Sequence, residues 1–210
     1  PVTGDRSETA GDRTASARDD GGTTAVDPPV PPHRIRYGSA RIDELDAFLG
    51  ELDAISTETG TVVQAFDADL VVSEGHLREA TRLAARAIAR GEAVARDPGV
   101  EILLYAAGRR QIDRALRLGV AEGENRVALL FADFGAVSGT DRPAADVDVA
   151  VTAVEERTPF APADDRGPAH GFDEDRVREA FDIGDRELDA VDGDIADIVR
   201  ERVALLDVGK

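Results

Sequence analysis

The centre of the chain decides its fold, and it reads Val100-Glu101-Ile102-Leu103-Leu104-Tyr105-Ala106-Ala107-Gly108-Arg109-Arg110-Gln111-Ile112. The apolar run from Val100 to Ala106 follows the turn signal Asp97-Pro98-Gly99 and predicts a buried strand. Gly108 interrupts this run, and residues 109–118 predict a short helix that ends at Gly119. The stretch therefore predicts a strand, a turn and a helix in succession.

Strands and helices are also predicted on both sides of this centre. Upstream, the patterns predict a strand over 33–42, a helix starting at Asp43, a strand over 61–66 and a helix over 74–90 between the cap residues Ser73 and Gly91. Downstream, they predict a buried strand over 126–132, an edge strand over 147–154, a loop over 159–171 and helices over 173–181, 185–191 and 194–206.

This alternation predicts one layered α/β (α+β) domain over residues 34–210, with a mixed β-sheet flanked by helices. Residues 1–33 are acidic and Pro-rich with few large apolar side chains, and they predict a disordered tail. Residues 138–170 predict a polar, acidic insertion or loop region.

Composition excludes several classes of protein. The chain has 210 residues, 42% of them hydrophobic, which is enough for one core. It has no Cys, so disulfide frameworks, thiolate zinc sites and Cys nucleophiles are excluded. A membrane span needs roughly 18 consecutive apolar residues, and no run approaches that length. The polar N-terminal region has no apolar signal segment, so we expect a cytoplasmic protein.

The charge is strongly acidic overall but uneven along the chain. Asp and Glu number 43 against 25 Lys and Arg, a net charge of −18, and Lys210 is the only Lys. Such a composition is typical of adaptation to a salt-rich cytoplasm. Residues 78–117 nevertheless hold 9 Arg against 5 acidic residues, a local balance of +4. A basic island in an acidic chain indicates a site for an anionic partner.

The basic island has two helical stripes. Arg78, Arg82, Arg86 and Arg90 recur every four residues and share one side of the helix 74–90. Since no Asp or Glu lies within 80–91, local ion pairing does not explain this stripe. On the next helix the arginines at 110, 114 and 117 share a face, and Ile112, Ala115 and Leu116 are predicted to point inward. A phosphate-binding surface and a plain solvated face both remain open.

The strongest candidate for a binding site is the turn over residues 105–111, the Arg-rich turn, which joins the predicted strand to the second of these helices. A junction from strand to helix collects unpaired backbone N–H groups and the positive end of the helix dipole, which favour an anion. Arg109, Arg110 and Gln111 add side-chain donors there. The sequence predicts Arg109, Arg110 and Gln111 as the core of the site, flanked by Arg78, Arg82 and Arg86.

Catalytic and cofactor motifs are not recognised. Asp133-Phe134-Gly135 matches a metal-binding triplet of protein kinases, but no accompanying kinase motif is present. The histidines at 33, 76 and 170 have no metal-ligand spacing, and no nucleophile, base and orienting residue can be assembled. We therefore predict no catalytic residue, no metal and no cofactor, and a binding protein rather than an enzyme.

The central stretch resembles the archaeal Cgi-type subunit of the KEOPS complex, a relative of the animal PRPK-binding protein. Further matching segments are Ser73-Glu74-Gly75-His76-Leu77 and Glu201-Arg202-Val203-Ala204-Leu205-Leu206-Asp207. The resemblance covers about residues 37–134 and 176–210. Residues 1–33 and 138–170 depart from the family pattern.

The resemblance implies a non-catalytic subunit of the complex that makes threonylcarbamoyladenosine in tRNA. It implies docking on a Bud-type kinase subunit and binding of the single-stranded 3′ CCA end of tRNA, with no DNA or membrane partner. The C-terminal helix offers Ile195, Ile198 and Val199 as the partner interface, unless all three belong to the core. The alternative is a small phosphate- or nucleotide-binding enzyme or ligand-binding module that uses the Arg-rich turn.

Overall fold

The structure of the chain, a computed structural model, describes residues 29–163, 171–191 and 193–208. The predicted disordered tail lies outside the described residues as far as residue 28, so the tail and the domain boundary at residue 33 stay predictions. Residues 164–170 of the predicted acidic loop region also lie outside the described residues.

Four strands form one sheet in the described part of the chain. They are β1 (His33–Ile42), β2 (Val62–Asp67), β3 (Gly123–Ala132) and β4 (Phe160–Pro162), in the spatial order β2-β3-β1-β4. In this register Ala128 of β3 pairs with Tyr37 on one side and with Phe66 on the other. All three pairings are antiparallel rather than mixed, because the two segments predicted as additional strands are helices. β4 occupies part of the predicted loop over 159–171.

Eight α-helices accompany the sheet in the described residues. They are α1 (Leu45–Thr59), α2 (Glu74–Ala89), α3 (Pro98–Ala106), α4 (Ile112–Ala115), α5 (Val147–Arg157), α6 (Glu174–Phe181), α7 (Asp185–Leu188) and α8 (Ile195–Val208). Short 3₁₀ turns cover Ala68–Leu70 and Leu116–Leu118. The caps predicted for α2 are confirmed, since Ser73 Oγ accepts from the N–H of His76 and Gly91 has a φ of 69°.

The helices cover both faces of the sheet. On one face, Phe48 and Ile55 of α1 and Val154 of α5 belong to a core with Leu129 and Phe131 of β3. On the other face, a larger core joins buried residues of α2, α3, α6 and α8 to the sheet. The predicted layered α+β domain is confirmed. Leu49 of α1 is 41% exposed.

The strand predicted over Val100–Ala106 is wrong, because this segment is helix α3. Asp97 caps the helix, with its Oδ1 accepting from the N–H of Val100 at 3.0 Å, and Pro98 occupies its first turn. Ile102 to Ala106 are all buried. A helix enclosed on every side has a continuous apolar sequence, which periodicity cannot distinguish from a buried strand.

The edge strand predicted over 147–154 is also wrong. Asp146 caps helix α5 through a 3.1 Å hydrogen bond from the N–H of Val149 to its Oδ1. Ala150, Val151 and Val154 are buried, a helical spacing, while Val149 is 52% exposed. The alternation of Asp and Val suggested a strand, but the cap and the i, i+4 pair determine the helix.

Candidate nucleic-acid interface

The Arg-rich turn follows the end of helix α3 instead of the end of a strand. The N–H groups of Ala107, Gly108 and Arg109 donate to carbonyls of α3 at 2.9–3.1 Å, and Gly108 has the φ of 58° that such a helix ending requires. These N–H groups are therefore used within the turn, and the carbonyl end of α3 is the negative end of its dipole. The junction predicted from strand to helix is therefore a junction from helix α3 to helix α4, and anion binding by Arg109, Arg110 and Gln111 stays a prediction.

A buried histidine fixes the position of this turn. The ring of His76, at the start of α2, forms a 2.7 Å hydrogen bond through Nε2 with the carbonyl oxygen of Ala106, the last residue of α3. The ring is fully buried and lies edge-on against Phe181. Burial lowers the pKa of His76 to about 4, so the neutral ring donates from Nε2.

We expect the stability of the protein to depend on the ionisation of His76. Because the pKa of His76 is about 4 in the folded chain and about 6.5 in the unfolded chain, the unfolded state binds the proton more tightly. Stability should therefore be complete above pH 6.5 and decrease towards pH 4, by up to roughly 3 kcal/mol. Urea unfolding between pH 7.5 and 4.5 measures this loss. The variant His76→Gln keeps a donor for Ala106 without a titrating ring, so it should lose less over the same range. Parallel curves for the two proteins would contradict the prediction.

The last turn of α8 brings two of the predicted arginines together. Arg110 Nη2 donates to the carbonyl oxygen of Leu206 at 2.9 Å, and Arg86 Nη1 lies 3.3 Å from Asp207 Oδ2. Tyr105 Oη donates to Asp207 Oδ1 at 2.9 Å, and burial together with this hydrogen bond raises the pKa of Tyr105. Residues distant in sequence therefore form one basic surface around the end of α8, where a cation also complements the helix dipole.

The remaining predicted residues are placed differently. Arg82 binds Glu79 with two hydrogen bonds of 3.0 and 2.7 Å, and these lower the pKa of Glu79. Gln111 is exposed beside Arg110. Arg78 is exposed, and with Pro31, Pro32 and other residues it lines a surface groove of about 610 Å³ near β1. Arg78 has no ion pair with any described residue. Among the arginines of the α2 stripe it lies nearest the N-terminus of the helix.

The inference that ion pairing cannot explain the α2 stripe is therefore wrong. Glu79 pairs with Arg82 from three residues away, and the sequence already contained this signal. Asp207 pairs with Arg86 from the other end of the chain, which no local pattern could indicate. Arg109 is bound by the carboxylate of Asp182, which sequence reasoning also missed. Ile112 and Leu116 are 45% and 57% exposed, so their predicted inward orientation is wrong; Ala115 is buried as predicted.

The predicted partner residues of the C-terminal helix are core residues. Ile195, Ile198 and Val199 are 5%, 2% and 0% exposed, because α8 packs with this side against α2 and α3. Of the two alternatives, a partner interface or the core, the structure therefore supports the core. Leu205 of the same helix is 56% exposed.

The Arg-rich turn has no room for an enclosed metabolite. The cavity that Val94, Tyr105, Arg109 and Arg110 line holds about 10 Å³, less than a water molecule comfortably occupies. A ligand of this turn would therefore lie along its outer surface. Within the described ranges no cluster of His, Asp and Glu suited to a metal ion was found, and no helix has the length and apolarity to cross a membrane.

The family model described as kinase binding protein CGI-121 matches residues 48–207. This range contains α2, the Arg-rich turn and α8. No curated protein matches the chain.

Proposed function

The chain belongs to the CGI-121 family of kinase-binding proteins, and from this premise we propose that it is a non-catalytic accessory subunit of the KEOPS complex. In this role it docks on the Bud-type kinase subunit and holds the single-stranded 3′ CCA end of the tRNA that receives threonylcarbamoyladenosine. The family match carries the kinase part of the proposal. The convergence of Arg86 and Arg110 on the end of α8 carries the RNA part.

The chemistry of this surface fits single-stranded RNA. The side chains of Arg82, Arg86 and Arg109 are 31%, 25% and 23% exposed, so all three are partly accessible to solvent. A guanidinium binds a phosphate through a fork of N–H donors. Arginine planes also stack on unpaired bases, and stacking contributes roughly 1–3 kcal/mol per base. Two or three ordered nucleotides would give a moderate affinity.

The net charge of −18 does not exclude an RNA partner. In molar salt the Debye length is about 3 Å, against about 8 Å at ordinary ionic strength. Repulsion between RNA and distant carboxylates is then largely screened, whereas contacts at hydrogen-bond distance persist. We propose that the protein works in a cytoplasm with molar salt, where interactions at contact distance determine which partner binds.

Kinase docking is proposed on the exposed side of α8. Leu205 and Ala204 face solvent there beside Arg200 and Glu201, so the face combines an apolar centre with charged neighbours, as docking surfaces commonly do. The alternative function, a small phosphate- or nucleotide-binding module, has less support because the Arg-rich turn has no pocket of metabolite size.

Reconstitution of the complex tests the proposal. We expect the purified chain to show no turnover, and we expect it to stimulate threonylcarbamoyladenosine formation when added to the other KEOPS subunits and tRNA. The control is the same reaction with the kinase subunit omitted, in which stimulation should disappear. If the remaining subunits modify tRNA equally well without this chain, the accessory role is wrong.

A further inference from the structure

An internal carboxylate already occupies the Arg-rich turn. Arg109 Nη2 donates to Asp182 Oδ2, and the two side chains are 23% and 69% exposed. Asp182 follows the last residue of α6 and has a φ of 54°, the left-handed region, which no other described non-glycine residue adopts. This ending of α6 holds the carboxylate against Arg109 while leaving its outer side open to solvent.

Asp182 lies within the field of three guanidinium groups. The hydrogen bond from Arg109 lowers the pKa of Asp182, and the charges of Arg109, Arg114 and Arg202 act in the same direction. Arg202 is already neutralised by Glu187, at 2.8 Å from both carboxylate oxygens. The side chain of Arg114 is exposed and forms no hydrogen bond or ion pair with another described side chain, while its backbone N–H donates to the carbonyl oxygen of Gln111. Asp182 is therefore the carboxylate that pairs with Arg109, and its charge also interacts with that of Arg114.

We propose that Arg109 and Arg114 form a subsite for one phosphodiester group of single-stranded RNA, and that Asp182 is the resident anion which this phosphate displaces from Arg109. The inference rests on the proposed RNA-binding function and deepens it. A guanidinium accepts a phosphate or a carboxylate with the same fork of donors. Exposed ion pairs contribute little to stability, so the exchange of one anion for the other is accessible. Asp182 thus reduces the affinity of the subsite for phosphate, because the phosphate must compete with the Asp182 carboxylate for Arg109.

The variant Asp182→Asn tests this exchange in the full-length chain. Asparagine also adopts the left-handed conformation, so the end of α6 should be preserved. We expect a short single-stranded RNA ending in CCA to bind this variant about 3–10 times more tightly than the unsubstituted protein.

Two further variants separate the subsite from general charge effects. Asp185→Asn removes the same charge three residues away, from an acid that pairs with Arg178 and is 85% exposed, and we expect it to leave the affinity unchanged. Combining Arg109→Gln with Asp182→Asn should abolish the gain, because the partner of the displaced carboxylate is then absent.

The possible results distinguish this inference from the proposed function. If the unsubstituted chain binds the RNA in an Arg110-dependent manner while Asp182→Asn binds no more tightly than Asp185→Asn, the resident-anion inference is wrong and the function stands. Equal gains in the two Asn variants would also overturn it, since bulk charge would explain both. If no variant binds the RNA, the proposed function fails and the subsite fails with it.

Discussion

The variant Arg110→Glu is expected to bind full-length tRNA at least about 100-fold more weakly than the unsubstituted protein. Hydrogen bonds to charged groups contribute roughly 1.5–3 kcal/mol each, and a carboxylate at this position also repels the phosphate. Together these terms exceed the 2.8 kcal/mol or so that corresponds to a 100-fold change. Filter binding or fluorescence anisotropy in about 1 M KCl measures the loss under conditions where long-range attraction is screened.

Arg110 also has a structural contact, so the experiment needs a matched pair. Because Arg110 donates to the carbonyl oxygen of Leu206, its loss affects the end of α8 as well as RNA. Arg110→Gln keeps a neutral donor for that carbonyl and should lose affinity while retaining the unfolding midpoint. Arg117→Glu makes the same charge change at an exposed position and should bind tRNA nearly normally. Similar losses for Arg117→Glu and Arg110→Glu would indicate a general charge effect instead of a site.

The same assay identifies the part of tRNA that is bound. We expect tRNA trimmed of its 3′ CCA end to bind the unsubstituted protein at least about tenfold more weakly than intact tRNA, since the unpaired bases supply the stacking energy. Equal affinity for the two would show that the ligand or the site is wrong. Normal binding by Arg110→Glu would leave the Arg-rich turn with a structural role only.

Local signals in the sequence predicted much of the fold. The caps Ser73 and Gly91 determine α2 through short-range hydrogen bonds and backbone conformation, and the apolar strands β1, β2 and β3 were located correctly. One error occurred at α3, a helix buried on every side, and the other at α5, where the alternation of Asp and Val concealed a capped helix. Burial is a property of the assembled core, and a short apolar run is compatible with a strand or an enclosed helix.

The candidate site was predictable as a set of cations but not as a geometry. The density of arginine over 78–117 is visible in the sequence, and the structure brings Arg86 and Arg110 together. It does so through Leu206 and Asp207, whose distance along the chain hides the contact. The resident anion Asp182 was equally hidden, because its pairing with Arg109 depends on how α6 ends and packs. Acidic residues that are distant in the sequence determine which of these arginines are partly neutralised.

The variant Ile198→Asp should strongly destabilise the folded protein, because the side chain of Ile198 is buried. Its side chain is 2% exposed in the core that α8 forms with α2 and α3, and an unpaired carboxylate there costs several kcal/mol in addition to the lost apolar contact. A loss of at least about 4 kcal/mol is a large fraction of the usual 5–15 kcal/mol of domain stability. It should lower the melting temperature by about 10 °C or more for a chain of this size. Calorimetry or circular dichroism measures the change, and a melting temperature near that of the unsubstituted protein would contradict the burial.

Leu205→Asp is the corresponding test of kinase docking, because Leu205 lies on the same helix but is 56% exposed. Substitution of an exposed side chain usually changes stability by no more than about 0.5 kcal/mol, so this variant should fold. Removing an apolar anchor from an interface costs about 2 kcal/mol or more, which weakens binding roughly 30-fold, and calorimetric titration of the purified kinase subunit measures it. Leu49→Asp is the control, an exposed leucine on α1, a helix of the opposite sheet face, and it should bind the kinase normally. If Leu205→Asp and Leu49→Asp bind the kinase equally well, the exposed side of α8 is not the docking surface, and the kinase must bind another face of this domain.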